Sequence, residues 1–328
     1  MPAFRASQPI LKTSGTDLLR DLDLTDDELV YLLDLASAVK RAPRDYTEAL
    51  AGKSIALLFE KPSLRTRLTF DLAIKQLGGY SAFTEGQISG REPLKDVARN
   101  LDRWVNGIVA RVFSHDTVEE LARWSSVPVI NALSDMYHPC QALADLQTVQ
   151  ERFAHLQGLK MAFLGDGNNV AHSLMITAIR LGMDFSLGCP PGYLPNPEVV
   201  AQAEGLAAVS GASLAITHDV GEAIAGAQAV YTDVWTSMGQ EREAARRKKA
   251  FQPYQVNEDL MSQARPDAVF MHCLPARRGE EVTEAVMDSQ RSVVFEQAEN
   301  RLHAQKALLL MMLSSRGCKG TRSRSNLS

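Results

Sequence analysis

The sequence predicts an α/β protein with two doubly wound parallel-sheet domains joined by interdomain helices. Short apolar runs alternate with helical patterns along most of the chain, and repeated strand–helix–strand units form parallel sheets covered on both faces. The alternation falls into two sets, one before and one after about residue 150. The length of 328 residues fits two domains of roughly 150 residues each.

The first set begins with a helix, because Thr25 to Glu28 spell a capping box and apolar residues then recur at helical spacing. A buried strand is predicted at 55–59. The next helix starts near Ser63 and ends at Gly78-Gly79, since glycine readily adopts the left-handed conformation that ends helices. The remaining predictions of this set are strands at 107–113 and 128–133, and helices around 95–104, 117–124 and 141–157.

The second set begins with a buried strand at 159–164, a glycine-containing turn and a helix over 170–181. Further strands are predicted at 185–187, 213–217, 229–234, 269–273 and 292–295, and a last helix at about 300–313. We expect a first domain over 1–148 and a second over 149–299. The last helix, 300–315, should pack back on the first domain, and residues 316–328 should form a disordered basic tail.

Composition excludes several classes of protein. The net charge is -4, and the basic residues of the tail leave the rest of the chain still more acidic, which argues against nucleic-acid binding. No apolar run approaches the ~18 residues of a membrane helix. The four cysteines include no CxxC pair, so neither a disulfide scaffold nor a metal site is expected, and a reducing, cytoplasmic compartment is the expectation.

Open parallel sheets bind ligands beyond the carboxyl ends of their strands, and five unusual clusters follow predicted strands. The first is Ser63-Leu64-Arg65-Thr66-Arg67 at a helix start. A helix N-terminus attracts anions, and arginines can fork onto phosphate oxygens, so this cluster predicts a phosphate site. The alternative is that Ser63 only caps the helix and the arginines are solvated.

The second cluster, His138-Pro139-Cys140-Gln141, offers polar side chains after a strand, although a lone histidine is more often structural. The third, 165–169, looks like a dinucleotide loop. Val170 stands where G-x-G-x-x-G needs its third glycine, so nucleotide binding is disfavoured. Asn168 and Asn169 could instead cap the following helix or bind a polar ligand.

The fourth cluster runs from Asp233 to Glu241 and combines a carboxylate, hydroxyls and a glycine turn. It suits recognition of a zwitterion, the alternative being an ordinary polar loop. The fifth runs from His272 to Glu280. Its Cys273 could be a small core residue, a hydrogen-bonding partner of a substrate or, with a lowered pKa, a nucleophile.

In this order, the clusters resemble the aspartate/ornithine carbamoyltransferases over about residues 8–313. Family motifs correspond to S-L-R-T-R at 63–67, where the family has S-T-R-T-R, H-P-C-Q-A-L-A-D at 138–145, D-x-x-x-S-M-G at 233–239, H-C-L-P at 272–275 and E-N-R at 299–301. The aspartate branch lacks S-M-G and H-C-L-P, so the ornithine branch is favoured. Leu64 departs from the pattern and could contribute only its backbone amide.

The resemblance implies transfer of the carbamoyl group of carbamoyl phosphate to the side-chain amine of L-ornithine, giving L-citrulline and phosphate without metal or organic cofactor. Carried over by position, the carbamoyl phosphate site comprises Ser63, Leu64, Arg65, Thr66, Gln87, Arg111, His138, Gln141, Cys273, Leu274 and Arg301. The ornithine site comprises Asn169, Asp233, Ser237 and Met238. The catalytic residues would be Arg111, His138, Asp233 and Cys273.

Gln87 lies in a loop that, in the family, reaches the site of a neighbouring subunit, so the resemblance implies a homotrimer with shared active sites. Three alternatives stay open on sequence alone. One is a related carbamoyltransferase acting on another amine such as putrescine. The S-M-G loop argues against it, because a diamine has no carboxylate for the loop to recognise. The others are a nicotinamide-dependent dehydrogenase using 165–169 and a catalytically inactive paralogue.

Overall fold

The computed structural model describes residues 9–237 and 239–314. It contains two sheets, each composed of parallel strands, with helices interleaved between the strands. The predicted fold class is therefore confirmed. Three cysteines lie among the described residues, and all three are unpaired. In the same part of the chain no helix is long and apolar enough to cross a bilayer.

The first sheet has the order β2-β1-β3-β4. Its elements are α1 (Asp26–Arg41), β1 (Ser54–Phe59), α2 (Leu64–Gln76), β2 (Tyr80–Glu85), α3 (Leu94–Trp104), β3 (Gly107–Arg111), α4 (His115–Trp124), β4 (Val129–Leu133) and α5 (Pro139–Phe153), with a 3-10 turn at Pro43–Tyr46. The capping box forms as predicted: the Thr25 side chain accepts from the backbone N–H of Glu28, and the Glu28 carboxylate accepts from that of Thr25.

The second sheet has the order β7-β6-β5-β8-β9. Its elements are β5 (Lys160–Leu164), α6 (Asn169–Arg180), β6 (Asp184–Gly188), α7 (Pro197–Ser210), β7 (Leu214–Thr217), α8 (Val220–Ile224), β8 (Ala229–Thr232), α9 (Ala244–Phe251), α10 (Glu258–Gln263), β9 (Val269–His272) and α11 (Glu284–Met287), with 3-10 turns at Glu241–Glu243 and Gln252–Tyr254. The helix α12 (Val294–Leu313) follows.

Helix α12 packs against α1, α2 and α5 of the first sheet's layer and also contacts β9. Its apolar side chains Leu308, Leu309 and Leu310 are fully buried in the same core as β1 and α1. Because hydrophobic burial favours folding in proportion to the area removed from water, this face fixes α12 against the first domain. Its first turns then lie where the two sheets meet, which matters for the site below.

Two predicted elements differ from the structure. The strand expected at 292–295 does not form: Ser292 makes an isolated bridge to Phe270, and α12 begins two residues later. The strand β2 was missed, because it is an edge strand with half-exposed and exposed residues instead of a buried apolar run. The predicted disordered tail over 316–328 lies outside the described residues.

The strand order of each sheet predicts the position of one ligand-binding crevice. In the first sheet the winding reverses between β1 and β3, and in the second between β5 and β8. Ligands of doubly wound sheets bind outside the carboxyl ends of strands at such reversal points. The segments that leave β1, β5 and β8 are those of the first, third and fourth sequence clusters, and β3 ends at Arg111. The second and fifth clusters follow the adjacent strands β4 and β9.

Candidate active site

The Ser63 loop starts α2 as predicted. The Ser63 hydroxyl accepts from the backbone N–H of Thr66 at 3.2 Å, and the first turn contains no acidic residue, so its amide dipoles are not neutralised by an acidic side chain. Leu64 is 71% exposed. Arg65 is half-buried, whereas Arg67 stacks its guanidinium 3.8 Å from the ring centroid of Phe83. The loop therefore directs only one of its arginines towards the crevice.

Thr66 and Arg301 join distant parts of the chain in the buried floor of the crevice. Arg301, on α12, donates from Nη2 to the Thr66 hydroxyl at 2.7 Å and from Nη1 to Gln141 Oε1 at 3.0 Å. All three residues are buried. Because the Thr66 hydroxyl oxygen accepts this bond from Arg301, the hydroxyl can still donate its proton to a ligand oxygen.

Three guanidinium groups meet here without an anionic partner; we call Arg65, Arg111 and Arg301 the arginine cluster. Among the described residues no carboxylate lies within 4.0 Å of these groups. Burial, together with the charges of Arg301 and Arg65, lowers the pKa of Arg111 to about 10. Burial also lowers the pKa of Arg65 and of Arg301. Unpaired buried charge is costly, so the cluster is suited to an anion.

His138 is buried beside this cluster at the start of α5. Its backbone N–H donates to Ser173 Oγ at 2.8 Å, and its Nδ1 has no hydrogen-bond partner within the described chain. Burial, and then the charges of Arg301 and Arg111, hold the pKa of His138 well below its usual value. At neutral pH the imidazole is therefore uncharged, and it can donate one hydrogen bond to a ligand and accept another.

Across the crevice lies a second group, the Asp233 cluster, made of Asn168, Asp233 and Cys273. Asn168 Nδ2 donates to one carboxylate oxygen of Asp233 at 2.9 Å, and Cys273 Sγ donates to the other at 3.1 Å. Burial and the Asp233 charge raise the pKa of Cys273 well above its usual value. The thiol is thus protonated and poorly suited to nucleophilic attack, in contrast to the nucleophile alternative from the sequence.

The other predicted residues differ in how closely they join these clusters. Asn169 Nδ2 donates to the backbone oxygen of Ser134 at 2.6 Å, which fixes its side chain between the two sheets. Leu274 takes a left-handed conformation with φ of 60° and donates its N–H to His272 Nδ1, a strained geometry of the kind that concentrates at functional sites. Ser237 donates its backbone N–H to Gln240 Oε1.

Two predicted residues are not joined to the site by the described chain. Gln87 is exposed in the loop after β2, and no hydrogen bond among the described residues connects it to either cluster. Met238 lies outside the described residues.

The residues of the glycine turn after β5 are engaged within the chain. A Cβ at Gly167 would collide with the backbone of Leu194 and Pro195, so glycine there permits close chain packing. Asp166 is held by Arg247 through an ion pair of 2.8 Å. Asn168 caps α6 by accepting from two backbone N–H groups, one of the two roles that the sequence allowed.

One group of side chains has the composition of a metal site. Potential ligand atoms of Asp233, His272 and Cys273 lie within 4.8 Å of one another. The His272 ring is already engaged at both nitrogens, by the Leu274 N–H at 2.8 Å and by Glu281 at 3.2 Å. The protein itself therefore satisfies these groups.

The sequence analysis missed two residues behind the site, Asp145 and Gln297. Asp145 accepts from Gln141 Nε2 at 2.7 Å and from Gln297 Nε2 at 2.6 Å, and burial raises its pKa to about 7. Asp145 ends the H-P-C-Q-A-L-A-D motif, and its place one helical turn after Gln141 is the one signal that could have indicated it.

Comparison with known proteins gives the family. Residues 16–151 match the carbamoyl-P binding domain of aspartate/ornithine carbamoyltransferase, and residues 157–312 match the Asp/Orn binding domain of the same family. Two similar proteins are both named ornithine carbamoyltransferase. The one from Thermococcus kodakarensis is 50% identical and covers 93% of this chain and 98% of its own. The one from Carboxydothermus hydrogenoformans is 52% identical, and the match covers 91% of this chain and 98% of that protein.

Structural comparison agrees. The solved ornithine carbamoyltransferase from Pyrococcus furiosus superimposes with a TM-score of 0.89 at 49% identity, covering 92% of this chain and 99% of that one. The two matched ranges together span the positions of the arginine and Asp233 clusters. The chain belongs to the aspartate/ornithine carbamoyltransferase family.

Proposed function

We propose that the protein transfers the carbamoyl group of carbamoyl phosphate to the side-chain amine of L-ornithine, producing L-citrulline and phosphate. The observation that supports this most strongly is the pairing of two opposite half-sites. The arginine cluster holds positive charge without a directly paired carboxylate beside a helix N-terminus, and the Asp233 cluster faces it with a carboxylate. Carbamoyl phosphate is an anion and ornithine carries cationic amines, so each substrate has a complementary half-site.

The phosphate of carbamoyl phosphate binds at the start of α2. The amides of that turn, the Ser63 hydroxyl and Arg65 provide donors, as helix N-termini and arginines do for phosphate generally. The carbamoyl group then extends towards Arg111, His138 and Gln141. Leu274 and Arg301 close the same pocket.

The reaction requires an uncharged nucleophile. A free alkylamine has a pKa near 10.4, so the site must select or generate the neutral form of ornithine's side-chain amine. The amine attacks the carbamoyl carbon and forms a tetrahedral intermediate with a negative oxygen. That oxygen accepts hydrogen bonds from the Arg111 guanidinium, the neutral His138 imidazole and the Thr66 hydroxyl, which act as the preorganised donors of an oxyanion hole. The C–O bond to phosphate then breaks. The attacking nitrogen loses a proton, and the departing phosphate takes it up.

Cys273 and Asp233 orient ornithine and take no covalent part. The raised pKa of the Cys273 thiol supports this assignment, and direct attack by an amine needs no acyl-enzyme. Asn169, Ser237 and Met238 complete the ornithine half-site in this proposal. Much of the rate comes from the alignment of two bound substrates, which is worth up to roughly 7–11 kcal/mol in favourable cases.

The proposal includes a homotrimer in which a second copy of this chain completes each site. Helix α2 supports it, since Leu64, Leu68 and Leu72 lie along one face and are 71%, 47% and 42% exposed. Apolar patches of this kind mark protein interfaces. The exposed Gln87 loop follows the neighbouring edge strand β2. A cytoplasmic location accords with the unpaired cysteines.

Citrulline formation from carbamoyl phosphate and each of L-ornithine, putrescine, L-aspartate and N-acetylornithine tests the function. We expect product with L-ornithine alone. Product with putrescine and not with ornithine would contradict the assignment of the Asp233 cluster. A folded protein that binds carbamoyl phosphate but uses none of the amines would contradict the proposed reaction.

Mixing inactive Gln87→Ala and Arg111→Ala proteins under subunit exchange tests the shared site. If Gln87 acts across subunits, some mixed sites contain neither substitution and part of the activity returns. No recovery after confirmed exchange would contradict sharing.

A further inference from the structure

The two half-sites are connected behind the crevice by a buried hydrogen-bond path. It runs from Gln141 on α5, through Asp145 on the same helix, to Gln297 on α12 and then to the ends of β8 and β9. We call Asp145 and Gln297 the bridging pair. Both are fully buried, Asp145 at 0% and Gln297 at 1% exposure, so only the protein can supply partners for their polar groups. Asp145 Oδ1 and both polar atoms of Gln297 have such partners, whereas Asp145 Oδ2 has none in the described chain.

Asp145 fixes the orientation of two amides at once. Asp145 Oδ1 accepts from Gln141 Nε2 at 2.7 Å and from Gln297 Nε2 at 2.6 Å. It can accept both bonds whether or not the other oxygen, Oδ2, carries a proton. Each amide must therefore turn its nitrogen towards Asp145 and its oxygen away. For Gln141 the oxygen then points to Arg301, at 3.0 Å, on the side of the pocket where carbamoyl phosphate binds.

Gln297 transmits the same constraint to the second sheet. Its Oε1 accepts from the backbone N–H of His272 at 2.9 Å, and its Nε2 also donates to the Tyr231 hydroxyl at 3.1 Å. His272 directly precedes Cys273, and Tyr231 lies two residues before Asp233. One side chain on α12 thus contacts the ends of β8 and β9, the strands that lead into Asp233 and Cys273.

We propose that the bridging pair are positioning residues that couple the two half-sites, holding the Gln141 amide oxygen towards carbamoyl phosphate and the ends of β8 and β9 towards the amino-acid substrate. This inference rests on the proposed function for the identity of the substrates. The bridging pair act through Gln141, Cys273 and Asp233, and touch neither substrate. Asp145 affects both half-sites, whereas Gln297 affects the ornithine half-site.

A matched pair of substitutions on α12 tests the Gln297 arm. Gln297→Met removes the partner of the His272 N–H but leaves Gln141 bound to Asp145. We expect the KM for ornithine to rise at least tenfold, equivalent to about 1.4 kcal/mol, while the calorimetric Kd for carbamoyl phosphate stays within threefold. Gln305→Met is the control, because Gln305 is equally buried on α12 and its amide has no hydrogen-bond partner in the described chain.

The Asp145 arm uses a conservative variant. Asp145→Leu removes the acceptor and should weaken carbamoyl phosphate binding at least tenfold and raise the KM for ornithine. Asp145→Asn keeps one acceptor oxygen and should recover most of both losses, which a role in packing alone would not require. If Asp145→Leu fails to fold, the inference is tested by comparing the KM for ornithine of Gln297→Met with that of Gln305→Met.

Two results would overturn the inference: Gln297→Met with the same KM as Gln305→Met, or a folded Asp145→Leu with the same affinities as Asp145→Asn. Failure of the proposed function is a separate result, because wild-type protein would then bind carbamoyl phosphate without forming citrulline. In that case the Asp145 arm is still decided by carbamoyl phosphate binding alone.

Discussion

The arginine cluster and the Asp233 cluster differ in how their charge is satisfied before substrate arrives. Arg65, Arg111 and Arg301 have no carboxylate partner in the described chain, whereas Asp233 already accepts from Asn168, Cys273 and the backbone N–H of Val234. The first half-site is therefore destabilised by buried positive charge without a direct ion pair, a cost that an anion relieves on binding. The second keeps its negative charge, but neutral donors already hydrogen-bond and orient its carboxylate oxygens. We infer that carbamoyl phosphate binding stabilises the fold far more than ornithine binding.

Removal of the negative charge of the Asp233 cluster should have the largest effect on activity. With Asp233→Asn we expect kcat/KM for ornithine to fall roughly 100-fold or more, about 2.7 kcal/mol, because ornithine loses its anionic partner. The substitution also replaces one of the two acceptor oxygens that Asn168 and Cys273 use. The Kd for carbamoyl phosphate should change less than threefold. Steady-state kinetics and calorimetry measure both, with Asp259→Asn, at an exposed acid of α10, as control. Equal loss for both substrates would contradict separate half-sites.

The ionisation of His138 reports the charge of the arginine cluster. Because burial and the two arginines lower the pKa of His138, the native state binds fewer protons than the unfolded state once pH falls below the ordinary value of 6.5. Its contribution to the free energy of unfolding is complete above that pH and is lost as pH falls.

Arg111→Met should raise the pKa of His138 by removing one repulsive charge, and His138→Gln should flatten the pH dependence of stability below pH 6.5. Ring-nitrogen NMR and denaturant titrations between pH 5 and 8 measure these effects. An unchanged His138 pKa in Arg111→Met would show that the two groups do not interact.

Leu64 should have the smallest effect. Its side chain is 71% exposed, and the proposal gives it only a backbone amide contact to phosphate, which any residue supplies. We expect Leu64→Thr to leave kcat/KM for carbamoyl phosphate within threefold. A change of tenfold or more would mean that the side chain at this position takes part in binding, directly or through a neighbouring copy.

Sequence patterns indicated the buried strands well, because β1 and β3 are short apolar runs between helical patterns. They failed at β2, whose residues are half-exposed or exposed, and at 292–295, where an apolar start to α12 resembles a short strand. Local motifs located most of the candidate residues. They could not indicate the bonds between Thr66 and Arg301 or between Asp145 and Gln297, because these partners lie 235 and 152 positions apart.

The most direct test of opposed half-sites is thermal unfolding of wild type and Arg111→Met, each with and without saturating carbamoyl phosphate. Removal of an unpaired buried charge should make the free variant more stable than free wild type, while bound wild type should be the more stable of the two complexes. One kcal/mol corresponds to about 2–4 °C for domains of 150–250 residues. Arg103→Met, at an exposed arginine of α3, should follow wild type. We predict that the order of stability reverses on binding; a free variant less stable than wild type, or no reversal, would contradict the account.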